Sequence, residues 1–360
     1  MKTFKIFFLA TSLLFIYCKG QLPNDQNENK TSTLGAIVSK MDEKIWKVYQ
    51  DKNDNYWFGS NGNGVYYFNG KQLRNYTTKD GLIDNAIRGF QEDTLGNIFI
   101  ETHSGISKFN GSKFITLIPE ISEENKWKLT ATDLWFHTNK TEIDVYRYDG
   151  ESLIGLQLPR KDLDKAFETK VVGLGFKDMS TSPYSIFGID KDKDGNMWFG
   201  TIVAGAFRYD GTSFLWFLEK ELSTLTDGRV PGVRSIIQDK NGHFWLSNFI
   251  SKYKVSEDGS SYEKFEGISK SITFFDNRIP YFNAGLVDNF GNLWMTTYTG
   301  GVWKYDGKTL SNYPVFHEDE DVLLISIYSD NDNMLWLGTD NAGVFKFNGE
   351  TFDRFEPINN

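Results

Sequence analysis

The chain has 360 residues, a formal net charge of −9 at pH 7 and an isoelectric point near 5.1. This acidity argues against non-specific nucleic-acid binding, which requires basic surface to neutralise phosphates, and we expect no nucleic-acid partner. Aromatic residues are abundant, with 10 Trp, 17 Tyr and 30 Phe, whereas only one cysteine is present, so no internal disulfide can form.

The first residues have the pattern of an export signal. Lys2 and Lys5 precede an apolar stretch, residues 6–17, that is too short to span a bilayer as a permanent helix. Cys18 follows directly and resembles the acylated cysteine of a bacterial lipoprotein. Ordinary cleavage after Gly20 is the alternative, because no small residue precedes the cysteine.

We therefore predict three segments. Residues 1–17 form a signal peptide, and residues 18–33, which begin with the lipid-attachment site Cys18, form a polar tether. Residues 34–360 form the folded domain. The predicted location is the periplasm or outer membrane, with a lipid anchor as the contact to the membrane.

Seven Asn-Gly or Asp-Gly pairs recur along the folded domain. Both residue types tolerate the positive φ angles of a type I′ turn, so each pair predicts a tight β-hairpin. The pairs are Asn69-Gly70, Asn110-Gly111, Asp149-Gly150, Asp210-Gly211, Asp258-Gly259, Asp306-Gly307 and Asn348-Gly349.

An aromatic anchor residue lies upstream of each pair. The anchors are Trp57, Phe99, Trp135, Trp198, Trp245, Trp294 and Trp336. An aspartate lies six residues before every anchor except the third. These aspartates are Asp51, Asp93, Asp192, Asp239, Asp288 and Asp330. In four repeats a glycine three residues before the anchor predicts a second hairpin, so each repeat is interpreted as four antiparallel strands.

Seven such units predict an all-β fold, a seven-bladed β-propeller of four-stranded antiparallel blades. Anchor strands such as Met197-Trp198-Phe199-Gly200 are apolar on both sides, as expected for sheets that are covered on both faces. The seventh repeat contains four strands of its own. Ring closure is therefore predicted to need no strand from residues 34–38.

Several of these strings resemble the two-component regulator propeller repeat. The clearest are Asp192-Lys193-Asp194-Gly195-Asn196-Met197-Trp198-Phe199-Gly200-Thr201 and Gly301-Val302-Trp303-Lys304-Tyr305-Asp306-Gly307. The resemblance covers about residues 45–357 and is weakest in repeats three and five. In that family the repeats often form the sensory part of a membrane-spanning regulator, so the resemblance implies signal binding. Here we expect a stand-alone, lipoprotein-like member, since no output module follows the seventh repeat.

Hairpin parity divides the loops between the two ends of the predicted ring. Turns after the first and third strands are short and form the plain end, whereas connections after the second and fourth strands are longer and form the variable end. Binding residues concentrate on such loops, and we expect their substitution to leave the fold intact. The ligand-binding candidates are His103, His137, Phe274, Arg278, Tyr281 and Tyr298.

The favoured function is non-enzymatic binding at the variable end, in envelope sensing or nutrient handling. The partner would be a small molecule, a glycan or an envelope protein. One alternative is a propeller lyase or hydrolase that uses Glu101, His103 and His137 for acid–base chemistry, as in the streptogramin lyases, which share this architecture. Another is a structural scaffold subunit of an envelope complex.

No metal or cofactor is predicted. The four histidines form no ligand pattern, and residues 190–195 match only the start of a calcium loop. The twelfth position of that loop is Thr201 instead of a bidentate glutamate, and the same turn recurs in other repeats without the extra carboxylates.

The lipid anchor can be tested directly. If Cys18 is acylated, labelled palmitate enters the protein, and Cys18→Ser abolishes both the labelling and the retention in the membrane fraction. A Cys18→Ser protein that stays in the membrane fraction would instead indicate an uncleaved anchor or a bound partner.

Overall fold

The recurring Asn-Gly and Asp-Gly pairs all lie between two antiparallel strands, as predicted. The predicted type I′ geometry is wrong, because only the glycine of each pair has a positive φ, as at Gly70 with 82°. Asn69 instead uses its side-chain oxygen to accept hydrogen bonds from the backbone N–H groups of Lys71 and Gln72, at 3.1 and 2.9 Å. The side chain thus caps the loop and removes the need for a left-handed first residue.

The computed structural model describes residues 34–121, 126–138, 143–160, 163, 182–219, 222, 232–268 and 281–357. The predicted signal peptide and tether, with Cys18, lie outside these residues, as do the candidates Phe274 and Arg278. Among the described residues, no helix has the length and apolar character that a membrane crossing requires.

The first three blades occupy the N-terminal part of the chain. Blade one consists of β2 (Ile45–Gln50), β3 (Tyr56–Ser60), β4 (Val65–Phe68) and β5 (Leu73–Tyr76), with β1 (Ala36–Ile37) added at its outer edge. A 3₁₀-helix, Thr78–Asp80, leads to blade two. Blade two consists of β6 (Ile87–Glu92), β7 (Ile98–Thr102), β8 (Ile106–Phe109) and β9 (Phe114–Leu117). Blade three consists of β10 (Pro119–Ile121), β11 (Leu134–Phe136), β12 (Val145–Tyr148) and β13 (Leu153–Leu156).

Blades four to seven complete the ring in chain order. Blade four consists of β14 (Ile186–Lys191), β15 (Met197–Thr201), β16 (Ala206–Tyr209) and β17 (Phe214–Phe217). Blade five consists of β18 (Ile236–Gln238), β19 (Phe244–Leu246), β20 (Ser251–Val255) and β21 (Tyr262–Glu266). Blade six consists of β22 (Ala284–Val287), β23 (Leu293–Thr296), β24 (Val302–Tyr305) and β25 (Leu310–Tyr313). After a hairpin of β26 (Phe316–His317) and β27 (Glu320–Asp321), blade seven consists of β28 (Leu324–Ser329), β29 (Leu335–Thr339), β30 (Val344–Phe347) and β31 (Phe352–Phe355).

Every aromatic anchor lies on the second strand of its blade or, in blade three, on the strand that takes this place. In five blades the indole Nε1 of the anchor donates a hydrogen bond to the aspartate six residues earlier, over distances between 2.7 and 3.1 Å. The same carboxylate accepts the backbone N–H groups of the turn, as Asp192 does from Asp194 and Asn196. The spacing of six therefore reflects one carboxylate that joins the turn to the anchor.

The turn after each of these aspartates contains one residue in the left-handed conformation. In blades two, four, five and six this residue is glycine, for instance Gly195 with a φ of 88°. Asp54 and Asn333 take the same position in blades one and seven, with φ of 62° and 65°. Asp and Asn enter this region more readily than other side chains, which explains why the glycine is visible in only four repeats.

Contacts between first strands link blades four, five, six, seven, one and two, and blade seven closes directly on blade one. In a propeller these strands surround a central channel. The Tyr56 hydroxyl donates to Asp330 over 2.8 Å, and the Ser326 hydroxyl donates to the Trp46 carbonyl over 2.6 Å. A Cβ at Gly338 would lie 2.5 Å from that carbonyl oxygen, so only glycine permits this approach. The prediction that closure borrows no N-terminal strand is confirmed, since β1 pairs with β5 of blade one.

Blade three departs from the predicted antiparallel pattern. Its innermost strand is β11, which carries the anchor Trp135, and its outermost strand, β10, pairs with β13 in parallel. This repeat lacks the aspartate six residues before its anchor, and Trp135 Nε1 is buried without a hydrogen-bond partner among the described residues. Trp127 stacks on Trp135 instead, with ring centroids 5.8 Å apart.

The contrast between blades three and four gives a stability prediction. Trp198→Phe removes the indole donor to Asp192, whereas Trp135→Phe removes an equally buried ring that has no such bond. Because a hydrogen bond to a charged group contributes about 1.5–3 kcal/mol, we expect Trp198→Phe to destabilise the protein by about that much more. Chemical denaturation of both variants measures the difference. Equal losses would show that the carboxylate–indole bond does not stabilise the blade.

Candidate functional site

The first strands begin at the variable end of the ring, and four of them begin with a β-bulge. The bulged residues are Trp46, Arg88, Phe187 and Ile325, each five residues before the aspartate of its repeat. Arg234 has the same position in blade five, two residues before β18 begins. A bulge removes one residue from the strand ladder and redirects its side chain, a device common beside functional sites.

Two of these positions form cation–π pairs between neighbouring blades. The Arg88 Cζ atom lies 4.4 Å from the centroid of the Trp46 ring, and the Arg234 Cζ atom lies 4.0 Å from that of Phe187. Trp46 is fixed by a 2.6 Å hydrogen bond from its Nε1 to Asp340. Blades one and two thus contribute one stacked arginine, and blades four and five contribute the other.

Lys47 shows that these elements face a common space. Burial lowers the pKa of the Lys47 amine. The negative charges of Glu101 and Asp190 raise this pKa, and the positive charges of Arg88 and Arg234 lower it further. Lys47, Arg88 and Asp190 lie on the first strands of blades one, two and four, Arg234 lies just before the first strand of blade five, and Glu101 lies on the second strand of blade two. We call Lys47, Arg88, Glu101, Asp190 and Arg234 the channel cluster.

Asp190 has the most perturbed carboxyl of the cluster. Burial raises its pKa from 3.8 to about 7, although a hydrogen bond from the Ile236 N–H, at 3.2 Å, and the nearby Lys47 charge act in the opposite direction. Desolvation disfavours the charged form of a carboxyl, so this residue takes up a proton near neutral pH.

Glu101 and His137 are brought together, as the enzymatic alternative requires. The His137 Nδ1 atom lies 2.9 Å from Glu101 Oε1, and its backbone N–H donates to Glu101 Oε2 over 3.4 Å. Both residues stand two positions after an anchor, where blades one, four and seven have glycine. His103 is not part of this contact. Its side chain is exposed in the following turn, and its backbone N–H donates to the Ala86 carbonyl over 2.9 Å.

Tyr281 and Tyr298 stack, with ring centroids 6.3 Å apart and an interplanar angle of 23°. Tyr298 is half-buried, but Tyr281 is only 8% exposed and forms a β-bridge with Asn248 of blade five. The burial of Tyr281 contradicts the basis for expecting that its substitution leaves the fold intact. Among the described residues, the buried Arg234 Nε has no hydrogen-bond partner. Burial raises the pKa of the Tyr281 hydroxyl, and the nearby Arg234 and Ser247 side chains act against this rise.

Asp192, the middle aspartate of residues 190–195 that match the start of a calcium loop, already has hydrogen-bond partners within its blade. Asp192 accepts hydrogen bonds from two turn N–H groups and from the side chains of Asn196 and Trp198. Within the part of the chain that the structure describes, no three potential ligands group in a way that could hold a metal ion.

Sequence reasoning missed most of the channel. The overlooked residues are Trp46, Lys47, Arg88, Phe187, Asp190 and Arg234. They lie within or directly before first strands, whereas the candidates were chosen from loops. Alignment on the repeat aspartates supplies the missing signal, because it places Trp46, Arg88, Phe187 and Arg234 at one equivalent position.

The comparisons with known proteins agree with this architecture. The family profile named Two component regulator propeller matches residues 181–202. The chain contains a two-component regulator propeller repeat. This match confirms the resemblance in repeat four, and the regular blades extend the same strand pattern around the ring. A search of curated proteins finds no match to the chain.

Solved structures show the same fold at low sequence identity. Two are extracellular domains of candidate hybrid two-component systems from B. thetaiotaomicron, with 17% and 19% identity and TM-scores of 0.55 and 0.58. They match 86% of this chain, which spans only 39% of the length of each. Virginiamycin B lyase from Staphylococcus aureus has 12% identity and a TM-score of 0.60, with 86% of this chain and 97% of the lyase covered.

The protonation of Asp190 predicts a specific pH dependence. The folded state binds this proton more tightly than the unfolded chain, so the stabilising contribution is complete below about pH 4 and is lost as the pH rises towards 7. Asp190→Asn keeps a neutral side chain at all pH values. Its free energy of unfolding, relative to that of the unmodified protein, should therefore increase from pH 4 to 7 and level off above.

Asp258→Asn is the matched control for this measurement. The Asp258 carboxyl is exposed, and a hydrogen bond from Ser256 lowers its pKa to about 2. Its replacement should change the stability by the same amount at pH 5 and pH 8. A pH-independent effect of Asp190→Asn as well would show that Asp190 is not buried in its protonated form.

Proposed function

We propose that this chain is an exported, lipid-anchored propeller that binds a ligand or a protein partner at the variable end of its channel. Its role would lie in envelope sensing or nutrient handling, without catalysis. The observation that carries this proposal is the pair of stacked arginines at the variable end, Arg88 on Trp46 and Arg234 on Phe187, with Lys47 and Asp190 of the channel cluster nearby.

The propeller fold itself gives no reason for these charges. Desolvating a charged group costs several kcal/mol unless partners compensate, so buried charges without a structural partner favour a functional role. Four residues before the repeat aspartate, blades two, four and six have Gly89, Gly188 and Ala284, whereas blade one has Lys47. A small residue suffices at this position for packing, so the fold does not require the Lys47 side chain.

Two further observations support an extracellular binding role. The N-terminal residues have the pattern of an export signal followed by Cys18. The solved domains from B. thetaiotaomicron that share the fold are described as extracellular parts of signalling systems. Transfer of that role to this chain is part of the proposal, because the likeness at this identity concerns the fold.

A lyase or hydrolase is the second candidate. It is favoured by the 2.9 Å contact between Glu101 and His137 and by the fold shared with virginiamycin B lyase. A base close to a carboxylate can transfer protons during a reaction. Turnover of a bound compound that stops in His137→Ala would support this function over simple binding.

The binding role is tested by a thermal-shift screen of the folded domain against glycans, peptides and small organic acids. A compound that binds only the folded state must raise the melting temperature. Tyr298→Ala, at the variable end of blade six, should reduce that increase. Lys308→Ala, in the exposed turn at the opposite end of the same blade, should leave it unchanged. The reverse pattern would place the functional face at the plain end.

A further inference from the structure

The two stacked arginines indicate what kind of ligand the channel takes. Resting on the proposed binding function, we infer that the variable-end mouth of the channel is a carboxylate site. Arg88 and Arg234 would bind the carboxylate group of a small organic ligand, with the Lys47 amine as a further hydrogen-bond donor. The arginines contribute from blades two and five, and the aromatic rings that hold them contribute from blades one and four.

The stacking geometry leaves hydrogen-bond donors available. A guanidinium that lies over an aromatic ring uses its face for the cation–π contact, whereas its N–H donors point outward in the guanidinium plane. Arg88 directs Nη1 to Asn61 and to the Ile87 carbonyl, each at 3.1 Å. The buried Arg234 Nε has no hydrogen-bond partner among the described residues, and the Arg234 side chain lies beside the Tyr281 hydroxyl. A planar carboxylate matches such a fork of donors.

Arginines with a structural role in this protein are bound differently. Arg147 pairs with Asp133 at 2.8 Å, and Arg208 pairs with Asp192 at 3.4 Å. Among the described residues, neither Arg88, Arg234 nor Lys47 forms an ion pair within 4.0 Å. The channel therefore holds two arginines and the Lys47 amine, which the blades position without a direct ion pair.

The two carboxyl groups of the cluster have partners of their own. Glu101 is in direct contact with His137, and Asp190 accepts the Ile236 N–H. The two arginines thus face Glu101, which His137 contacts, and Asp190, whose raised pKa lets it take up a proton near neutral pH, in a protein whose net charge is −9. A positive site inside an acidic surface is selective, because the field favours anions only at the channel mouth.

The probes are glucuronate and citrate, with glucose as the neutral counterpart and sodium chloride at matched ionic strength. The two acids distinguish a sugar acid from a simple carboxylate. We expect at least one of them to raise the melting temperature in a saturable manner, and we expect glucose and sodium chloride not to do so. If both acids fail, or if glucose is as effective as glucuronate, the inference is overturned.

Substitutions locate the site. Arg88→Gln and Arg234→Gln should each weaken binding of the effective acid about tenfold or more in calorimetry, since a charged hydrogen bond contributes about 1.5–3 kcal/mol. Arg354→Gln is the matched control: this arginine lies on the outer strand of blade seven, where its Nη1 contacts His317 at 2.8 Å. Unchanged affinity in both channel variants, or an equal loss in the control, would contradict the site.

The conservative variant Arg88→Lys distinguishes a loss of ligand contacts from a loss of binding caused by misfolding. It keeps the charge but lacks the fork of donors, so its affinity should fall between those of Arg88→Gln and the unmodified protein.

The ligand and the variants together also separate this inference from the proposed function. A neutral ligand whose binding depends on Tyr298 but not on Arg88 or Arg234 would refute the carboxylate site and leave the binding role standing. Binding that depends only on the plain end would refute both.

Discussion

One carboxylate in each regular blade sets the geometry on which the rest of the ring depends. It accepts the N–H groups of the turn after the first strand and, in five blades, the indole of the anchor on the second strand. Strand pairing, turn and core packing are therefore fixed at one point, and a slip of a single residue would break all three. Blade three lacks this aspartate; Trp135 keeps its buried place there, and among the described residues its strand β11 is the innermost of the sheet.

The fold could be predicted because its signals are local. The Asn-Gly and Asp-Gly loops and the spacing of six between aspartate and anchor each lie within a few residues, so seven blades follow from the sequence alone. Features that depend on distant pairing could not be predicted. Strand β10 joins β13 across more than thirty residues, and β1 joins the edge of blade one through a two-residue pairing. The turn type was wrong for a different reason, since the side-chain cap of Asn69 replaces a backbone conformation.

The candidate site was predicted less well because loop length is an indirect guide to a binding surface. Loop reasoning selected Glu101 and His137, which are in contact, but it also selected Tyr281, which is packed inside. The channel is lined instead by strand residues, and their character is visible only when the repeats are compared position by position. In a repeat fold, function is therefore best sought where one repeat departs from a small residue that its equivalents retain, as at Lys47.

The position of the site also connects ligand binding to closure of the ring. Trp46 carries the stacked Arg88 on its ring, while its carbonyl accepts the Ser326 hydroxyl of blade seven and its Nε1 donates to Asp340. The residue that holds one arginine is thus part of the seam between the last blade and the first. A ligand that engages Arg88 and Arg234 would link blades on both sides of the channel. A ligand that binds only the folded ring stabilises it by linkage, and the contacts of Trp46 make this seam part of the structure that is stabilised.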